Sequence, residues 1–217
     1  LDTRCNYYNQ TYEWRKAIGF CMKKGGEICL VAPGSPRCWA VSSSDTAPAL
    51  WSLGARVRLV GPAGERTIPI GALFKDDGIQ YLTRRADEIL SEIVLPPAEG
   101  WRSVYLKLRR RGSFDFPILG VAAAARFEGD VVREARIVLG AVASLPREAT
   151  KAAGMLIGQR LTTEVIEAAA DAAAGPAKPL DNTDLTHPYR KKVTRVYVAR
   201  ALARLAGLDQ GPDLSTL

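Results

Sequence analysis

Four cysteines, Cys5, Cys21, Cys29 and Cys38, are the residues of this sequence with the clearest capacity for chemistry. Their spacing is Cys-x15-Cys-x7-Cys-x8-Cys, and no cysteine follows in the remainder of the 217 residues. Thiols confined in this way point to a shared task. Two disulfides would need an oxidising compartment, and no export signal opens the chain. A structural zinc ion takes four thiolates but usually brings a close Cys-x2–4-Cys pair, which is absent here. An iron–sulfur cluster accepts irregular loop spacing. Gly19, Gly25, Gly26 and Gly34 would let the backbone approach inorganic sulfide and donate N–H groups to it. The pattern favours a cluster over zinc, and zinc over disulfides.

The segment that carries these thiols, 1–41, holds Tyr7, Tyr8, Tyr12, Trp14 and Trp39 but little apolar periodicity. Something besides hydrophobic burial must order it. Residues 42–97 read differently. Asp45 is placed to cap a short helix over 46–53, with Pro48 in its first turn and Gly54 closing it. A strand over 55–60 puts Val57 and Leu59 on one face. Gly61-Pro62-Ala63-Gly64 turns into a second strand over 67–70, and a third over 87–95 stops at Pro96-Pro97. Residues 98–217 begin with strands at 104–109, 118–127 and 131–142, the last two joined by Glu128-Gly129-Asp130. Helical spacing then takes over at 148–157, 162–173 and 189–205, the last with a stripe of Val193, Val196, Tyr197, Ala201 and Leu205. Strands followed by helices imply an α+β fold. The only histidine, His187, precedes Pro188 at a helix entrance and reads as structural. No Ser–His–Asp set or paired carboxylates stand out, so no catalytic residue is assigned.

The net charge of +7 suits a nucleic acid, an acidic protein partner, an anionic cofactor, or simply a basic solvated surface. The densest basic run, Lys107 to Arg111, continues a strand pattern and carries no nucleic-acid signature, so no nucleic-acid partner is expected. No apolar run reaches the length of about 18 residues that a membrane span requires. A cytoplasmic protein is expected. The opening Leu-Asp-Thr-Arg-Cys, without an initiator Met, reads as the middle of a longer protein.

The segment Asp2 to Gln10 together with Cys21, Cys29 and Cys38 resembles the flavin-binding β subunits of 4-hydroxybenzoyl-CoA reductases. These are similar to the flavoprotein subunits of xanthine and carbon monoxide dehydrogenases, with an inserted loop that carries a 4Fe–4S cluster. The likeness continues through Ser44 to Leu50, Gly61 to Gly64, Glu88-Ile89-Leu90, Phe114 to Pro117, Leu139-Gly140-Ala141 and Tyr189-Arg190. It implies a cluster-bearing loop over 1–41, the second part of an FAD-binding domain over 42–97, and a CO dehydrogenase flavoprotein-type C-terminal domain over 98–217. It implies that the four cysteines ligate the cluster and that Asp45, Leu90 and Lys107 lie beside FAD. The family's N-terminal flavin subdomain, with its glycine-rich pyrophosphate loops, has no counterpart here, so this piece alone is expected to hold FAD poorly. The implied role is electron relay from ferredoxin through the 4Fe–4S cluster and FAD. The receiving partners would be a 2Fe–2S small subunit and a molybdopterin-binding large subunit acting on an aromatic thioester. Two other readings stay open: a flavin subunit of another molybdenum hydroxylase, and a zinc-stabilised interaction module.

Overall fold

The computed structural model describes residues 2–112 and 114–208. Leu1 and 209–217, included in the divisions drawn above, lie outside the described residues. Helix α1 (Tyr12–Ile18) is capped by Thr11, whose hydroxyl accepts from the Trp14 N–H, and a 3-10 turn spans Met22–Lys24. Helix α2 (Thr46–Ser52) precedes β1 (Arg56–Gly61), β2 (Gly64–Pro69) and β3 (Ile89–Val94). These strands form an antiparallel sheet in the order β2-β1-β3. The expected alternation holds, since Val57 and Leu59 are fully buried and pack with Ala55, Ile70 and Leu73. Gly61 pairs with Gly64 across the expected tight turn.

A second antiparallel sheet runs β4 (Trp101–Leu108), β5 (Leu119–Glu128), β6 (Val131–Gly140) and β7 (Arg147–Glu148), in that order. Helices α3 (Thr150–Gly154), α4 (Thr163–Ala173) and α5 (His187–Leu205) follow. The first seven residues of β5 are all buried, as expected of a strand covered on both faces. Leu119, Val121, Ala123 and Ala125 face the helical side with Leu156, Ile166, Val198 and Leu202. The opposite face, at Gly120 and Gly140, receives α2, and a Cβ added at Gly140 would lie 3.1 Å from Pro48 Cγ. The α+β architecture is as the sequence implies.

Local details differ from the sequence reading. The helix expected over 148–157 is a two-residue strand followed by the short α3. On α5, Val196 is exposed; the buried face instead includes Arg190, Thr194, Tyr197, Ala201 and Leu205. The fully buried Arg190 donates to the carbonyls of Ala141, Leu180 and Ile118, which makes that face partly polar. An apolar-only template cannot register such a face.

Candidate cofactor site

The sequence brings Asp45 and Lys107 to one point. The Lys107 ammonium lies 2.7 Å from Asp45 Oδ2, and the Tyr105 hydroxyl donates to Asp45 Oδ1 at 2.8 Å. Tyr105 and Lys107 are two apart on β4 and therefore share a face. Burial, and then the adjacent carboxylate, push the Tyr105 hydroxyl well above the ordinary phenol range, so it stays a donor. Asp45 does not cap α2. Its backbone is already helical and its side chain makes no cap bond; Ser44 Oγ accepts from the Ala47 N–H instead. The carboxylate is thereby free to serve β4.

Ser44 and Thr46, on either side of Asp45, line a cleft of about 240 Å³. Its other walls include Leu50, Val57, Tyr81, Leu90, Ile93 and Phe116. Leu90 is 37% exposed on edge strand β3, facing this cleft rather than packing in a core. Lys107 also donates to the Asp115 carbonyl at 2.6 Å, next to Phe116 in the cleft wall. Asp45, Tyr105 and Lys107 do not themselves line the cleft; they adjoin it through Ser44, Thr46 and Phe116. A largely apolar cleft suits a flat ring, and its volume takes part of a ligand the size of FAD. Tyr105 was not singled out from the sequence. The signal that could have found it is its i, i+2 relation to Lys107.

The four cysteines converge. All are buried, none is in a disulfide, and all four line one narrow cavity with Tyr7, Tyr8, Met22 and Val31. The loop 75–81 packs on its Cys38 and Ala40 wall through Gly78. The Gly78 N–H donates to the Cys38 carbonyl at 2.9 Å, and a Cβ added at Gly78 would lie 2.7 Å from Cys38 Sγ and 2.6 Å from the Ala40 nitrogen. The Ala40 N–H points at Cys38 Sγ, 3.4 Å away. Burial raises the Cys5 thiol to about 11 and raises Cys38 as well. Thiols in such surroundings become thiolates only when a cation replaces the proton. Among the described residues, no three or more His, Cys, Asp or Glu side chains gather tightly enough to hold a metal ion. The donors present are four thiols, with an N–H aimed at one sulfur, a set whose chemistry suits either a zinc ion or an iron–sulfur cluster.

The two sites share a wall. Arg4 and Val41 form a β-bridge, and the Arg4 Nε donates to Ser43 in the cleft at 2.8 Å. Thr3, two residues from Cys5, lines the cleft.

Residues 24–98 match the FAD-binding domain of molybdopterin dehydrogenases, and residues 103–205 match the CO dehydrogenase flavoprotein C-terminal domain. The carbon monoxide dehydrogenase medium chain of Hydrogenophaga pseudoflava is 31% identical over 180 residues, covering 82% of this chain and 58% of that one. The glyceraldehyde dehydrogenase medium chain of Sulfolobus acidocaldarius is 24% identical over 164 residues, covering 76% and 57%. This chain thus spans less than two thirds of the length of these relatives. The structure of the carbon monoxide dehydrogenase of Hydrogenophaga pseudoflava lacking the Mo-pyranopterin moiety superposes with a TM-score of 0.69 at 30% identity, over 74% of this chain and 55% of that one. With residues 24–98 and 103–205 matched by these two domains, the chain belongs to the FAD-binding subunits of the xanthine/CO dehydrogenase family, as a relative of the carbon monoxide dehydrogenase medium chains.

Proposed function

We propose that this chain is the electron-relay part of a molybdenum-containing enzyme resembling 4-hydroxybenzoyl-CoA reductase, holding a 4Fe–4S cluster on Cys5, Cys21, Cys29 and Cys38 beside an FAD site at Asp45, Leu90 and Lys107. The convergence of four buried, unpaired thiols on one cavity carries the reading. The divisions 1–41, 42–97 and 98–217 then correspond to cluster loop, flavin domain and C-terminal domain. The cluster and the flavin supply one-electron exchange and the step between one- and two-electron carriers. The protein's own residues do the positioning. The cysteines fix the cluster, the Ala40 N–H lowers negative charge on Cys38 Sγ, and Tyr7 and Tyr8 help exclude water. Asp45, held by Tyr105 and Lys107, would offer its carboxylate to a ribityl hydroxyl. Leu90 brings strand backbone to the ring. Ferredoxin would deliver electrons, and a 2Fe–2S small subunit and a molybdopterin-binding large subunit would receive them. Free thiols suit the reducing cytoplasm.

Anaerobic reconstitution with iron and sulfide tests the cluster. We expect about four iron and four sulfide per chain and a brown colour, and their loss in Cys29→Ser. Tight uptake of one zinc ion with no uptake of iron would overturn it.

A second reading, a flavin subunit of a molybdenum dehydrogenase with another substrate, is favoured by the names of the relatives, which are dehydrogenases of carbon monoxide and glyceraldehyde. It makes the same demands on Asp45 and Lys107 and differs at the cysteines. A zinc-stabilised interaction module is the third reading, and the same reconstitution decides it by which metal is taken up.

A further inference from the structure

Lys23 lies between the two sites. Its side chain is only 6% exposed, and its ammonium donates to Thr3 Oγ1 at 2.6 Å, the Thr3 carbonyl at 2.9 Å and the Gly78 carbonyl at 2.8 Å. It also sits 4.3 Å from the ring centroid of Tyr8 and 5.8 Å from that of Tyr81. Tyr8 lines the cysteine cavity, whereas Thr3 and Tyr81 line the cleft. Gly78 packs on Cys38. One ammonium thus touches a wall of each site.

The charges around it are unequal. Asp2 pairs with Lys23 at 2.6 Å but is 47% exposed and stands on the cleft side, where water screens it. Lys24 also lies over Tyr8, at 4.7 Å, but it is exposed. Lys23 itself lines the cysteine cavity together with Cys5, Cys21, Cys29 and Cys38. The ion pair therefore presents its positive, dry end to the cysteines and its negative, wet end to the cleft.

We propose that Lys23 is a positioning residue shared by both sites: its buried ammonium raises the reduction potential of a cluster held by the four cysteines and clamps the cluster's cradle to the cleft wall. The proposal rests on the cluster reading above. Reduction adds one electron to the cluster and its thiolates, with no bond made or broken and a low-potential one-electron donor as reductant. A fixed cation with little solvent screening stabilises that added charge more than the oxidised state.

The test is a dithionite redox titration of the reconstituted chain, followed by electron paramagnetic resonance. Lys23→Met and Lys23→Gln should each shift the midpoint to more negative potential. Lys23→Arg should keep it near the parent value, and Lys24→Met, with the same change in net charge, should leave it in place. A parent-like midpoint in Lys23→Gln, or an equal shift in Lys24→Met, would overturn the proposal. Should both neutral variants lose iron uptake, its retention in Lys23→Arg upholds the role of the charge, and its loss in all three reduces Lys23 to packing. Failure of the parent chain to take up iron sinks the cluster reading itself and this proposal with it, a result distinct from any confined to the variants.

Discussion

The Asp45 carboxylate and the Lys107 ammonium meet at 2.7 Å although 62 residues separate them in sequence. One precedes α2, the other lies on β4, and α2 is packed on the Gly120 and Gly140 face of the second sheet. The pair therefore depends on how closely α2 approaches that sheet, and Tyr105 is the third member that fixes it.

Tyr105→Phe removes the hydroxyl that donates to Asp45 Oδ1 while keeping the ring. The expected loss is about 1 kcal/mol of stability, the ordinary net worth of one hydrogen bond. Lys107→Met should cost less, because Asp45 is 42% exposed and its ion pair is screened. Urea unfolding of the single and double variants measures both. Strict additivity of Tyr105→Phe and Asp45→Ala would show that the two residues are not coupled.

Gly120 faces Lys107 in the β4–β5 register, and a Cβ there would lie 2.7 Å from the Tyr105 hydroxyl. Gly120→Ala should push Tyr105 off Asp45 and destabilise the chain by about 1–3 kcal/mol, the usual cost of overpacking. Combining it with Tyr105→Phe removes the clashing oxygen and should recover part of that loss. A double variant less stable than the sum of the singles would contradict the geometry.

The raised Cys5 thiol makes stability depend on alkaline pH. Its acid constant in the folded chain is about 11 against an ordinary 9.0, so folding favours the protonated form. That contribution is whole below pH 9 and fades as pH climbs towards 11. Cys38 is shifted in the same direction. Under reducing, metal-free conditions the unfolding temperature should fall across pH 9–11, and Cys5→Ala should flatten part of the fall. An equal slope in that variant would assign the loss to other groups.

Much of the frame was legible because it rests on local rules. Val57 and Leu59 alternate into a core, Gly61 to Gly64 turns a hairpin, and the helical spacing over 162–173 becomes α4. The buried face of α5 was misplaced at Val196 because Arg190 and Thr194 are buried there through hydrogen bonds that no hydropathy pattern reveals. Asp45 looked like a cap because its residue type and position suit one, and only the tertiary approach of β4 takes the carboxylate away. Asp45, Leu90 and Lys107 were named by resemblance, and Tyr105, two residues from Lys107 on one strand, was readable only once Lys107 had been named. The role of Lys23 was not readable, since Thr3, Gly78, Tyr8 and Tyr81 come together only in three dimensions.

The last prediction concerns the closure of the cysteine cavity. Gly78 meets Cys38 backbone to backbone, with its N–H on the Cys38 carbonyl and its own carbonyl accepting from Thr3 and Lys23. A methyl group has no room there, because Ala40 backbone and Cys38 Sγ stand within 2.7 Å of its position. Neither neighbour is the end of a flexible side chain, so the loop must move. Gly78→Ala should lift the loop, weaken three hydrogen bonds and expose Cys38, which is 5% accessible in the native chain. The rate at which a thiol reagent labels the folded, metal-free protein should rise, and stability should fall by about 1–3 kcal/mol. Identification of the first labelled residue by mass spectrometry distinguishes local opening from global unfolding. Labelling led by Cys38 at the raised rate supports local opening, and an unchanged rate would mean that the loop does not seal the cavity.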